Sequence, residues 1–228
     1  MAAPAGPSRA PRRGFFALAV LLPLTWTSGF AEREGLRRAA LTYDLGTIET
    51  AMNVITVVDV VLGLGVIVAL LLLCLAPRSA RVTVPAQVAA TLAALGVLVR
   101  GGVRLLLASG AFSASAAFAR YGGIVVAFAD IAGSALLFVM ILRVTRVARA
   151  HVAFGFGIVG LGLVLGNAVA FTLVTFGSEA LGGGGTLALV ESWAALGATL
   201  LTFWLCIHAG VVVTRIPDDL APGDYNTR

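Results

Sequence analysis

A chain of 228 residues in which 59% are hydrophobic and only 12% charged cannot cover itself with a water-soluble surface, where about a quarter of residues are charged. With a mean hydropathy of +1.00, its length goes into apolar stretches and short connections, which excludes a separate soluble catalytic domain. The net charge of +5 comes without a single lysine, so a retinal Schiff base, a phosphate-loop lysine and a lysine nucleophile are excluded. The arginines flank apolar segments rather than gathering beside exposed aromatics, which also excludes nucleic acid as a partner.

The expected fold class is all-α, a multi-pass transmembrane helical bundle of five strong spans preceded by an N-terminal segment that is signal-like or a sixth helix. About 20 apolar residues match a hydrocarbon core about 30 Å thick. In chain order the first apolar segment is Phe15 to Ala31. Arg9, Arg12 and Arg13 precede it, and Gly29-Phe30-Ala31 closes it in a small-x-small pattern. Residues 1–31 therefore read either as a cleaved signal peptide or as a short first helix containing Pro23. Residues 32–51 are expected to form an outer loop. Its near-cancelling charges and its Leu36, Leu41 and Leu45 allow a short interfacial helix.

The transmembrane bundle is expected over residues 52–215, with spans at Met52 to Ala76, Val84 to Ser109, Tyr121 to Leu142, Val152 to Phe176 and Leu187 to Val213. Turn residues separate them: Pro77 with Ser79, Ser113 with Ser115, and the Gly182 to Gly185 run. Residues 216–228, with Pro217, Pro222 and Gly223, read as a disordered tail. Placing the N-terminus inside puts Arg9, Arg12, Arg13, Arg78, Arg81, Arg143, Arg146, Arg149, Arg215 and Arg228 on the cytoplasmic side, against Arg33, Arg37, Arg38 and Arg120 outside. The positive-inside rule favours that orientation, with a cytoplasmic C-terminus. A plasma or secretory-pathway membrane is the expected location.

Two arginines fall inside a span. Arg100 and Arg104 are four residues apart on one helical face, and an ionised side chain facing lipid costs at least about 2.5 kcal/mol. Asp59 and Asp130 are the acids set deepest in other spans. At 1.5 Å per residue they and Arg100 come out roughly 10 to 14 Å beneath the outer helix ends. Asn167 lies at a similar level, and Glu191 and Arg104 lie shallower. Asp59 shares its face with Gly63, Asp130 with Gly133 and Ser134, and Glu191 with Ala194, Ala195 and Ala198. Small residues at this spacing let helices approach, so these faces are expected to point into the bundle. The candidate polar cluster is thus Asp59, Arg100, Arg104, Asp130, Asn167 and Glu191. It reads either as an ion-pair network fixing helix register or as a polar pocket open to the outer face.

Gly162, Gly166 and Ala170 form a small-x-x-x-small stripe that suits helix packing inside the monomer or a dimer seam. His151 stands at a helix start and His208 well inside a helix, at unmatched depths for a bis-histidine haem. Cys74 and Cys206 lie within spans and read as small apolar residues. No HExxH, GxSxG or CxxC motif occurs, so no catalytic residue, metal or cofactor is expected. The expected function is structural or partner-binding, with the lipid bilayer and a membrane-protein partner or second copy as partners. The alternative is a small transporter or channel whose pathway passes Asp59, Arg100 and Asp130.

Overall fold

The computed structural model describes residues 9–42, 45–108, 112–176 and 184–216, and within them the side chains of all but 30–42, 45–53, 104–108, 112–120, 174 and 184–192. Six α-helices stand among the described residues: α1 (Arg9–Thr42), α2 (Leu45–Leu73), α3 (Thr83–Ala108), α4 (Phe112–Val147), α5 (His151–Phe176) and α6 (Gly184–Val212). No strand occurs among the described residues. Five helices are long and apolar enough to cross a membrane, over Val54–Leu73, Thr83–Val103, Tyr121–Val147, His151–Leu173 and Trp193–Arg215.

Each helix packs against its neighbour in sequence, and α6 returns to pack against α1. The result is a closed six-helix ring. It is narrow enough that α4 and α6 also touch across it. The first apolar segment is thereby a packed sixth member of the bundle, with Phe15 and Leu18 of α1 fully buried.

Lipid gives no hydrophobic drive between helices, so their contact depends on close fit. Glycine supplies that fit along the seams. At Gly63 of α2 a methyl group would lie 2.5 Å from Val97 of α3, and at Gly160 of α5 it would lie 2.0 Å from the Phe138 ring of α4. At Gly14 of α1 it would lie 2.7 Å from the Ala69 carbonyl of α2, and at Gly122 of α4 2.9 Å from Val99 of α3.

Packing is densest at the end where α1 begins and α2, α4 and α6 finish. Phe15, Leu18, Leu73, Phe138, Met140, Ile141, Val144, Leu205 and Ala209 are fully buried there. This apolar plug is flanked by Arg9, Arg12, Arg13, Arg78, Arg81, Arg143, Arg146, Arg149 and Arg215, all exposed. The Arg12 guanidinium sits over the Phe16 ring, 5.3 Å from its centre, which keeps the charge at the rim of the apolar body.

Both short connections at this end are capped by arginine in a left-handed conformation, Arg81 at φ 49° and Arg149 at φ 56°. At the end of α4 the Ala150 N–H donates to the Thr145 carbonyl and the Arg149 N–H to the Arg146 carbonyl. That is a Schellman cap with arginine where glycine is usual. The Arg143 guanidinium donates to the Arg81 carbonyl at 2.5 Å, tying the turn before α3 to the end of α4.

Two sequence expectations are corrected. In place of an outer loop over residues 32–51, α1 continues to Thr42 and α2 begins at Leu45. The segment Ala31-Glu-Arg-Glu-Gly-Leu-Arg-Arg-Ala-Ala-Leu is rich in strong helix formers, and its charges do not interrupt a helix that no longer needs to be apolar. Ser113 and Ser115 are not a connection, because α4 already starts at Phe112. In the stripe read as monomer packing or a dimer seam, Gly162 and Gly166 are exposed and face open space, and Ala170 is buried. Gly157 and Gly160 make the close approach to α4 instead. Residues 1–8 and 217–228, including most of the expected tail, lie outside the described residues.

Candidate polar recess

Which way the polar residues face follows from the contacts on either side of them. Helix α3 meets α2 through Val97, against Gly63, and meets α4 through Val99 and Val103, against Gly122. Arg100 occupies the arc between those seams, on the row of Ala86, Ala89 and Ala93 that faces the ring interior. Helix α4 meets α3 through Gly122 and α5 through Phe138 and Leu142. Asp130 lies between these, on the row that continues through Ser134 to Leu137, Ile141 and Val144. Asp59 heads the corresponding row of α2, above Val66, Ala69, Leu70 and Leu73. On α5, Asn167 lies on the row of Gly160 and Val164, between the seam to α4 and the Leu163 contact with Gly197 of α6.

Counted from the arginine-rich helix ends at 1.5 Å per residue, all four stand about 21 to 26 Å along the bundle. Four consecutive helices thus each present one polar side chain to the interior at one level.

Arg100 and Asp130 are joined directly, with Nη2 donating to Oδ2 at 2.6 Å. The second carboxylate oxygen lies over Gly96 of α3, 3.8 Å from where a β-carbon would stand, so the absent side chain leaves space for the carboxylate. Asp59 accepts a hydrogen bond from the Ser28 hydroxyl of α1 at 2.7 Å. The Asn167 side-chain oxygen is buried and has no hydrogen-bond partner among the described residues. Arg104 and Glu191 lie in α3 and α6, and their side chains fall outside the described residues.

The ion pair is not sealed. The Arg100 and Asp130 side chains are 41% and 54% exposed, and Ser134, one turn further along, is exposed as well. On the same row of α4, Leu137 and Ile141 are buried. An interior row that is buried at Leu137 and Ile141 is thus exposed at Asp130 and Ser134, which makes this level a candidate recess within the ring. The structure thus brings Arg100 and Asp130 into contact and sets the four residues at one level, and the partner of Asp59 among the described residues is Ser28.

Ser28 is the residue that sequence reasoning missed. Once Phe15 to Ala31 is treated as a helix packed beside α2, a lone serine near the end of that segment becomes an obvious partner for an acid. Thr25 and Thr27 of the same helix bond back to carbonyls of their own turn and need no partner elsewhere. His208 stacks on Trp204 at 5.7 Å, which in turn meets Phe156 edge-on. These rings form an aromatic ladder between α5 and α6, far from the polar level.

Comparison with known proteins returns no matching family model, no similar curated protein and no similar solved structure. The geometry alone therefore carries the functional reading.

Proposed function

We propose that this chain is a multi-pass integral membrane protein that admits a small polar or charged solute into the recess at Asp59, Arg100 and Asp130, as a transporter or channel does. The carrying observation is the exposure of a guanidinium and a carboxylate on interior helix rows directly above an apolar plug. An ion pair that only fixed helix register would be closed over by neighbouring side chains, because an open pair is weakened by water. An open pair keeps spare hydrogen-bonding capacity: five N–H groups on arginine and four lone-pair sites on each carboxylate. A solute can exchange for part of the Arg100–Asp130 contact without leaving an unsatisfied charge.

In this reading the arginine-rich end is cytoplasmic, as the positive-inside rule favours, the recess opens to the outer side, and α1 is retained as a helix of the bundle. The register-fixing reading has one observation in its favour, the short contact between Arg100 and Asp130.

Proteoliposomes separate the two. With a pH-sensitive dye inside and gradients of protons, sodium or potassium imposed in turn, wild type should dissipate at least one gradient faster than empty vesicles. Asp59→Asn or Asp130→Asn should abolish that difference. Vesicles as tight as protein-free controls to all three ions, together with no thermal stabilisation by guanidinium, acetate or glycine, would leave only the register role.

A further inference from the structure

The turn between α2 and α3 and the end of α4 bring arginines together at one place on the arginine-rich end. The 3-10 turn Arg78–Ala80 packs against α4, and the Arg143 guanidinium reaches across to the Arg81 carbonyl. Arg78 and Arg81 in the turn and Arg143 and Arg146 at the end of α4 therefore stand at one junction, and all four are exposed. No acid stands among the described residues at this end, since Asp59 and Asp130, the acids whose side chains are described, both lie at the recess.

Two further features say what such a cluster is for. Arg81 holds a left-handed backbone conformation at φ 49° and ψ 37°, a position where glycine avoids a steric cost that arginine bears. The exposed surface flanking the cluster is apolar: Leu75 just before the turn, Val84 just after it and Val152 beyond α4 are each more than half exposed. A ligand that fits has an anionic head for the guanidinium groups and a hydrocarbon body for the leucine and valines.

We infer that the junction of the 78–82 turn with the end of α4 is a binding site for the phosphate of an anionic phospholipid in the adjoining leaflet. The guanidinium groups of Arg78, Arg81 and Arg146 take the phosphate oxygens as charge-assisted hydrogen bonds. Arg143 holds the turn in place through its bond to the Arg81 carbonyl. The acyl chains lie along Leu75 and Val84. Basic clusters where spans meet the headgroup region attract anionic lipid in this way. The inference rests on the membrane-spanning reading of the bundle and not on any solute in the recess.

The test uses the full chain in nanodiscs made from a mixture of phosphatidylglycerol and phosphatidylcholine, with co-purifying lipid measured after transfer to neutral detergent. Wild type should retain phosphatidylglycerol in preference. Arg81→Gly should reduce its retention at least about fivefold, the loss expected when a charge-assisted hydrogen bond to the phosphate is removed. Because glycine suits the left-handed position, this variant should fold at least as well as wild type, and its melting temperature in neutral detergent reports that separately. Arg146→Gln should act in the same direction, whereas Arg9→Gln, on α1, should leave retention within about twofold of wild type. Equal retention of the two lipids by wild type would overturn the site. So would a preference unchanged by Arg81→Gly, or one reduced equally by Arg9→Gln, which would mean a diffuse basic belt. Displacement of the lipid by inorganic phosphate alone would assign the site to a soluble anion and overturn the lipid reading.

Discussion

A double-mutant cycle on Arg100 and Asp130 distinguishes a wet recess from a dry ion pair, because the two differ severalfold in coupling energy. Arg100→Met removes the guanidinium with little loss of volume, Asp130→Asn removes the carboxylate charge, and the double variant removes the pair. In a sealed, dry interior, removing one partner strands the other charge and costs about 3 to 5 kcal/mol. Here the side chains are 41% and 54% exposed, so water rehydrates the survivor, and the coupling should fall toward the exposed-pair range of about 0.5 to 1 kcal/mol. Arg100→Met should be the more damaging single change, since it leaves Asp59 and Asp130 to repel each other, and Asp130→Asn should partly rescue it. The assay is equilibrium unfolding in detergent or nanodiscs, with all four proteins under one condition. A coupling near 3 kcal/mol or above would refute the recess, and additive single effects would refute the pair itself.

Other outcomes follow from packing and from the hydrogen bond to Asp59. Gly160→Ala should destabilise by about 1 to 3 kcal/mol, because the new methyl group meets the fully buried Phe138 ring, whereas Gly162→Ala on the same helix should change stability by less than about 0.5 kcal/mol; thermal unfolding of the two side by side checks this. Ser28→Ala should cost about 1 kcal/mol by leaving the half-buried Asp59 without its donor, and Asp59→Asn should remove most of that sensitivity in the same assay. Intact-mass measurement of the purified chain should show α1 retained, since Phe15 and Leu18 belong to the core; a mature chain starting after Ala31 would contradict the six-helix ring.

The five apolar spans were legible because continuous hydrophobicity over some twenty residues has one common structural solution in a bilayer. Helix length was not, since hydropathy ends where the lipid ends while the helix continues: α1 runs on through its charged segment to Thr42, and α4 begins nine residues before Tyr121. Placing Asp59, Arg100, Asp130 and Asn167 at one level required only a rise per residue and the positions of the arginines. Which face each glycine took could not be read in the same way. Gly157 and Gly160 pack while Gly162 and Gly166 do not, and spacing alone carries no information about where the neighbouring helices lie. The Ser28–Asp59 contact was hidden behind the two readings of residues 1–31.

Thiol accessibility along one row of α4 tests the central claim most directly. With Cys74 and Cys206 replaced by alanine, single cysteines at Ser134, Leu137, Ile141 and Ala132 are exposed to a membrane-impermeant maleimide added from the side opposite the arginine-rich end. The recess predicts labelling at 134, on the interior row above the plug, protection at 137 and 141 within the plug, and protection at 132, which faces lipid. Protection at 134 equal to that at 137, or labelling at 132 as fast as at 134, would contradict an interior opening at Asp130.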